Sequence, residues 1–224
     1  MTSSTAIKLR HAARRVRLGN AAMLLLRSLG YEQLLTKAMA ARLLPGACVW
    51  DVGANIGYYT KLFSERVGSS GRVYAFEPLP ATVAKLTAAV GGLANVSILP
   101  VALSDRIGSA AIDPGNEDQL ATARIEEGGA VPTELQTGDN MTSIGAAGLP
   151  AMVKIDVEGH EFEVLRGMGQ VLRADTLRDI FIEVHFAIFG ATGRSDQPAR
   201  IERLLSRCNF KLRWIDQSHL HAYR

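Results

Sequence analysis

The chain has 224 residues, 47% of them hydrophobic, enough for one domain with a substantial core and too apolar for global disorder. Its net charge of +3 is uneven: of 25 basic and 22 acidic side chains, residues 1–44 hold eight and one (Glu32), leaving 17 and 21 for the rest. A main body of net −4 lacks a basic track for a phosphate backbone, which argues against nucleic acid as the partner.

In chain order, residues 1–44 read as a basic helical appendage to a domain over 45–224. The longest purely apolar run there, AAMLLL at 21–26, is far short of the about 20 residues a membrane span needs. It is also short for a signal-peptide core, and Arg27 and Glu32 interrupt its continuation. Residues 1–31 contain no acid and have the Arg- and Ser/Thr-rich start of a mitochondrial transit peptide. The reading adopted is a pair of amphipathic basic helices that dock on the domain or on a membrane surface, or that mediate self-assembly. Cys48 and Cys208 have no metal-ligand spacing. As buried reduced thiols they suit a reducing, cytoplasmic compartment.

Leu44-Pro45-Gly46 ends the appendage, and ACVWDVG (47–53) is a short apolar strand buried on both faces. IGYYTKLFSERVG (56–68) is a helix with Tyr59, Leu62, Phe63 and Val67 on one stripe. A strand at 71–78, a helix at 81–92 and a third strand at 95–105 follow. Residues 106–148, rich in Gly, Asp, Glu and Thr, read as an irregular insertion with one or two small strands. Then come a strand at 151–159, a helix at 161–173, a strand at 178–186 and an amphipathic helix at 197–210. KLRWID and HLHAYR form a closing antiparallel hairpin. Alternating strands and helices imply an open, doubly wound, mostly parallel α/β sheet.

In such a sheet ligands bind beyond the carboxyl ends of the strands. Asp51 ends the first strand, Glu77 ends the second, and Gly53 and Gly57 form the elbow between the first strand and helix. A carboxylate at the second strand end can accept both hydroxyl protons of a ribose, as NAD and S-adenosylmethionine sites both require. A dinucleotide needs a third glycine and a helix N-terminus facing pyrophosphate. Here the elbow reads G-A-N-I-G, and Asp51 puts negative charge where two phosphates would lie. A sulfonium cofactor with a free ammonium group and no phosphate suits that charge. The expected cofactor is S-adenosylmethionine.

DVGANIGYYT, VYAFEP, NVSILPVALSD, VKIDVEGHEFEVLRG and FIEVH, in this order and spacing, resemble the FkbM-type methyltransferases. The resemblance covers roughly residues 47–186. It implies a seven-stranded, Rossmann-like class I methyltransferase fold and methyl transfer from S-adenosylmethionine, commonly to oxygen on sugars and other natural products. By the family pattern, Asp51, Gly53, Asn55 and Gly57 line the methionine end, Glu77 holds the ribose hydroxyls, and Ser104 and Asp105 lie near the adenine. The family's Thr-Leu-Asp-x-Leu-like run is replaced here by TGDNMTSIG, with Asp139 as the counterpart.

Lys154, Asp156 and Glu158 alternate along KIDVEG, and charges on an otherwise apolar strand must be paired or put to use. Lys154 is read either as a paired structural cation or as part of the site. The FIEVH strand, with Glu183 and His185, is the expected neighbour. Asp156, which also adjoins the cofactor, would then meet Glu158 and His185 at the methyl-transfer centre. A carboxylate or His185 is the candidate base for the acceptor's hydroxyl proton, and a hydrogen-bonded core histidine is the alternative. Asp156, Glu158, Glu183 and His185 could also ligate a divalent cation, but no spacing specifies one and no residue is assigned to a metal. The expected function is O-methylation of a small molecule in natural-product biosynthesis. The alternatives are a protein or nucleic-acid methyltransferase and a non-catalytic cofactor-binding subunit.

Overall fold

The computed structural model describes residues 31–113, 124–125 and 130–224. The expectations for residues 1–30, including a transit peptide and the first of two basic helices, lie outside the described residues. The first described element is α1 (Tyr31–Ala40), followed by β1 (Cys48–Val52), α2 (Tyr58–Val67), β2 (Arg72–Phe76), α3 (Pro80–Val90) and β3 (Val96–Leu99). Next come β4 (Ala102–Leu103), β5 (Gly108–Asp113), β6 (Arg124–Ile125), β7 (Val131–Gln136) and α4 (Gly138–Ser143). The chain then forms β8 (Met152–Ile155), α5 (Glu161–Arg166), a 3-10 turn at Val171–Arg173 and β9 (Asp179–Glu183). It ends with α6 (Phe186–Ala191), α7 (Gln197–Arg207), β10 (Lys211–Trp214) and β11 (His219–Tyr223).

Seven strands build the main sheet in the order β10-β11-β9-β8-β1-β2-β3. β3, β2, β1, β8 and β9 run parallel, and β11 is antiparallel to both β9 and β10. The chain builds outward from β1 through β2 to β3, then returns to place β8 on the other side of β1. That reversal opens a crevice at the carboxyl ends of β1 and β8, where α/β sheets hold ligands.

The period of two along each strand divides the core in a consistent way. Trp50, Val52, Val153, Ile155, Ile180 and Ile182 face one layer, with Val164, Leu165, Phe189, Ile201 and Leu205 from the helices. Val49, Val73, Met152 and Phe181 face the other, covered by Tyr59, Phe63 and Val67 of α2. Leu35 and Met39 of α1 and the following Leu43 join that second layer, and Arg42 donates to Asp179 at 2.8 Å. By strand alternation Asp51 and Lys154 belong to the α1/α2 side of the sheet.

Four segments differ from the sequence reading, the first being α6, where the strand read to 186 ends at Glu183 and a helix follows. The stretch read as one third strand is two, because Pro100 lacks the N–H that would continue the ladder. Val101 N–H bonds to the Leu99 carbonyl in a tight turn, and β4 pairs with β7 instead. The segment read as an irregular insertion carries β5, β6, β7 and α4. β5 and β7 pair antiparallel from Gly108↔Leu135 to Ile112↔Val131, forming a second, four-stranded sheet with β4 and β6. The helix expected through Arg173 stops at Arg166, and the chain resumes only as the short 3-10 turn.

Candidate active site at the carboxyl edge of the sheet

The elbow after β1 needs left-handed backbone at three places: Gly53 (φ +77), Asn55 (φ 51) and Gly57 (φ +91). A Cβ on Gly53 would lie 1.9 Å from the carbonyl oxygen of Asp156, so glycine there lets the elbow touch the end of β8. A Cβ on Gly57 would instead meet Leu86 Cδ1 of α3 at 2.8 Å, away from the crevice. Glu77, past the end of β2, is 6% exposed. Its Oε2 accepts from Asn55 N–H at 2.9 Å and its Oε1 from Leu79 N–H at 3.1 Å. Burial pushes its carboxyl above the ordinary range, against the two N–H donors and Lys154. Each carboxylate oxygen has a second lone pair, so a vicinal diol can still be accepted.

Lys154 laces the elbow to β8. Its Nζ donates to the Gly53 carbonyl at 3.1 Å and lies 3.4 Å from Asp51 Oδ1 and 3.5 Å from Asp156 Oδ2. Burial works against its charge, but Asp51, Asp156 and Glu183 outweigh burial and hold the ammonium above its ordinary pKa. Asp51 is fully buried and accepts from the Thr60 hydroxyl at 2.6 Å. Burial raises its pKa, offset first by Lys154 and then by Thr60. The sequence reading had Asp51 offering its charge directly to the cofactor. In the structure Asp51 faces Lys154 Nζ and the Thr60 hydroxyl.

Ser104 and Asp105, expected near an adenine, follow β4 rather than β3. Ser104 is fully buried, and its hydroxyl lies 3.0 Å from His160 Nε2. Burial keeps that imidazole below its ordinary pKa, against Glu163 and Asp105. Asp105 pairs with Arg166 at 2.9 Å. A Cβ on Gly167 would meet the Ser104 carbonyl at 1.9 Å, so these residues clamp β4 to the head and tail of α5. Asp139, within α4, accepts the N–H groups of Gln170 and Val171, which starts the 3-10 turn.

The reaction end forms where β8 and β9 stop. Glu158 (φ 49) and Gly159 (φ 94) reverse the chain after Asp156. His185 is buried, with Nδ1 2.6 Å from Glu161 Oε1 and Nε2 3.2 Å from Glu158 Oε2 and 3.7 Å from Asp156 Oδ1. Asp156, Glu158 and His185 therefore meet. Burial alone would discharge the imidazole, but Glu158 and then Glu161 hold it protonated well above its ordinary pKa. Glu161, fully buried, was read from sequence only as the start of a helix. Its one sequence signal is acid in a first helical turn directly after a Gly-His turn.

Glu183, at the end of β9, lies against His219, whose Nε2 is 3.6 Å away and whose Nδ1 is 2.7 Å from Asp216. Burial opposes the charge on His219, but Asp216 and Glu183 lift its pKa to about 9. A raised pKa stabilises the fold fully below the unfolded value near 6.5 and ceases to do so as pH rises through 9. The stability gap between the native chain and His219→Gln should therefore narrow by on the order of 3 kcal/mol from pH 6 to pH 10, measured by urea unfolding. A gap that stays constant with pH would contradict the pairing.

No helix among the described residues is long and apolar enough to cross a membrane. Residues 51–212 match the methyltransferase FkbM domain. Hexuronic acid methyltransferase AglP of Haloferax volcanii is 31% identical over 160 residues, covering 70% of this chain and 61% of that protein. The chain thus spans less than two thirds of that relative's length. Among solved structures, Aeropyrum pernix fibrillarin with natively bound S-adenosyl-L-methionine aligns with a TM-score of 0.51 at 14% identity, over 85% of this chain and 73% of that one. A putative methyltransferase from Streptococcus mutans in complex with SAH aligns at 0.51 and 12% identity, over 85% and 94%. At these identities the structural likeness is one of fold. The elbow, the strand order and the family match agree, and the chain belongs to the FkbM methyltransferases, a class I family with S-adenosylmethionine as cofactor.

Proposed function

We propose that the protein transfers a methyl group to a hydroxyl oxygen of a small, sugar-like acceptor. The observation that carries the reading is the Asp156–Glu158–His185 cluster, set directly against the glycine elbow through the Gly53–Asp156 contact. The residues fit the cofactor: Gly53 lets the elbow close on the end of β8, Glu77 keeps lone pairs for a ribose diol, and Asp51, Lys154, Asp156 and Glu77 together are net negative. When bound, S-adenosylmethionine supplies a methyl carbon activated by its sulfonium charge.

The remaining work falls to the chain. Lys154 fixes the Gly53 carbonyl and one oxygen of Asp156, so elbow and acceptor side keep one register. Both ring nitrogens of His185 already face carboxylates, Glu161 on Nδ1 and Glu158 and Asp156 on Nε2, so the proton-accepting role is assigned to a carboxylate. Asp156 suits it, because its side chain is 29% exposed at the mouth while that of Glu158 is 11% exposed. The relative named for hexuronic acid supports a sugar as the acceptor class. The acidic edge formed by Asp156, Glu158 and Glu183 is a poor surface for a polyphosphate chain. Both cysteines are free thiols, which suits a cytoplasmic setting.

Calorimetry with S-adenosylhomocysteine and with NAD, followed by methyl transfer to a panel of hexuronic and neutral sugars, tests the reading. Tight binding of S-adenosylhomocysteine is expected, with turnover on a sugar that falls 10²–10⁴-fold in Asp156→Asn while cofactor affinity stays within a few-fold. Binding of NAD alone, or methyl transfer only to protein or RNA, would overturn it.

A further inference from the structure

We propose that Asp156, Glu158 and His185 form a binding site for one divalent transition-metal cation, with the acceptor's hydroxyl as a further ligand. The metal site stands on the side-chain geometry. Only the hydroxyl ligand rests on the methyl-transfer reading.

The three side chains each offer one ligand atom, and these atoms all lie within 4.8 Å of one another. Around a cation with bonds near 2.1 Å, neighbouring octahedral ligands stand about 3.0 Å apart and opposite ones about 4.2 Å. His185 Nε2 is 3.2 Å from Glu158 Oε2 and 3.7 Å from Asp156 Oδ1, so the donors already have the spacing of a shared ion.

A second observation points to the same place. The His185 side chain is 3% exposed, and its Nε2 makes no directed hydrogen bond although it is aimed at two carboxylates. Its other nitrogen is fully committed: Nδ1 lies 2.6 Å from Glu161 Oε1, which is itself held by the Gly159 N–H at 2.9 Å. A buried carboxylate on Nδ1 fixes the ring and directs the Nε2 lone pair outward, the support that metal-binding histidines usually have. The oxygens of Asp156 are divided in the same sense, Oδ2 toward Lys154 and Oδ1 toward His185.

Charge favours a dication. Asp156, Glu158 and Glu161 surround one imidazole, so even a protonated ring leaves the cluster net negative. A divalent ion in place of that proton offsets the excess and leaves a neutral imidazole as ligand. One nitrogen and two carboxylate donors suit the hard cation Mn²⁺, or a borderline first-row dication such as Fe²⁺, better than Ca²⁺ or Cu⁺. An acceptor hydroxyl coordinated there gives up its proton more readily. That proton leaves to water, the oxygen's electron pair forms the new O–CH₃ bond, and the pair of the broken C–S bond stays on sulfur. Where the ion is bound, Asp156 holds it rather than taking the proton.

The test is Mn²⁺ titration of the full chain, stripped with a chelator, by calorimetry and by the electron paramagnetic resonance signal of free Mn²⁺. Saturable binding of about one Mn²⁺ per chain is expected. It should weaken at least about 50-fold in His185→Ala and in Glu158→Gln, and about 10–100-fold in the positioning variant Glu161→Gln. S-adenosylhomocysteine affinity, measured in parallel, should stay within about threefold. If His185→Ala fails to fold, Glu158→Gln decides. Mn²⁺ binding that is absent, or that survives these substitutions, overturns the site. Loss of S-adenosylhomocysteine binding by the native chain with Mn²⁺ binding intact would refute the methyl-transfer reading and leave the metal site standing.

Discussion

Gly53→Ala should lower the thermal midpoint by roughly 6–12 °C and weaken S-adenosylhomocysteine binding by more than tenfold. The added Cβ would fall 1.9 Å from the Asp156 carbonyl oxygen and 2.9 Å from its carbon. Both are backbone atoms, and Asp156 N–H is already bonded to the Val52 carbonyl at 3.0 Å, so neither strand can yield without parting β1 from β8. The left-handed backbone adds about 1 kcal/mol of strain, and the overlap about 1–3 more. A total near 3 kcal/mol corresponds to the stated shift for a chain of this size. Gly57→Ala is the control. Its backbone strain is similar, but its Cβ meets the mobile end of Leu86 at 2.8 Å and points away from the crevice. It should cost about 1–2 kcal/mol and leave cofactor affinity within a few-fold. Equal behaviour of the two variants would contradict the elbow geometry.

The same elbow marks how far the sequence can be read. Val49, Trp50 and Val52 announce a doubly buried strand because both faces of β1 are covered, and the glycines announce a turn because its left-handed backbone suits glycine best. The hairpin of β10 and β11 is visible because its turn signals lie between two β-rich runs. The second sheet is not visible. β5 (GSAAID) and β7 (VPTELQ) carry few large apolar residues, so their alternation is faint, and β7 finds its parallel partner β4 only because Pro100 takes the chain out of β3. α4 and α6 have six residues each, too few for a 3.6-residue period to register.

The candidate site divides in the same way. Asp156, Glu158 and His185 are conspicuous as charges at strand ends, and they do converge. What sequence could not supply is who spends charge on whom. Asp51 pairs with a lysine 103 positions away, Glu161 meets a histidine 24 away, and Ser104 meets one 56 away, each between elements that only the chain's topology brings together. Such pairings depend on the strand order, which the KIDVEG and DVGANIG motifs imply by resemblance and do not encode locally.

Lys154→Met should be the costliest single change in the site, about 3–5 kcal/mol at neutral pH by urea unfolding. The methionine fills much of the lysine's volume, so the loss is not a cavity. It arises because Asp51, with no exposed surface, is left as a buried charge with the Thr60 hydroxyl as its remaining strong partner. Asp156 also loses Lys154, but its 29% exposure lets water substitute. The combination Asp51→Asn with Lys154→Met removes the stranded charge and should regain at least half of the loss. The pH dependence carries a sign that packing cannot mimic. As pH falls, Asp51 in Lys154→Met protonates more readily than in the native chain, so the cost of the substitution shrinks toward pH 5. In the native chain the raised pKa of Lys154 contributes stability that is present below 10.5 and lost above it, so the cost shrinks again at strongly alkaline pH. A cost flat across that range, or a double variant no more stable than Lys154→Met, would mean that Asp51 and Lys154 are neighbours without being coupled.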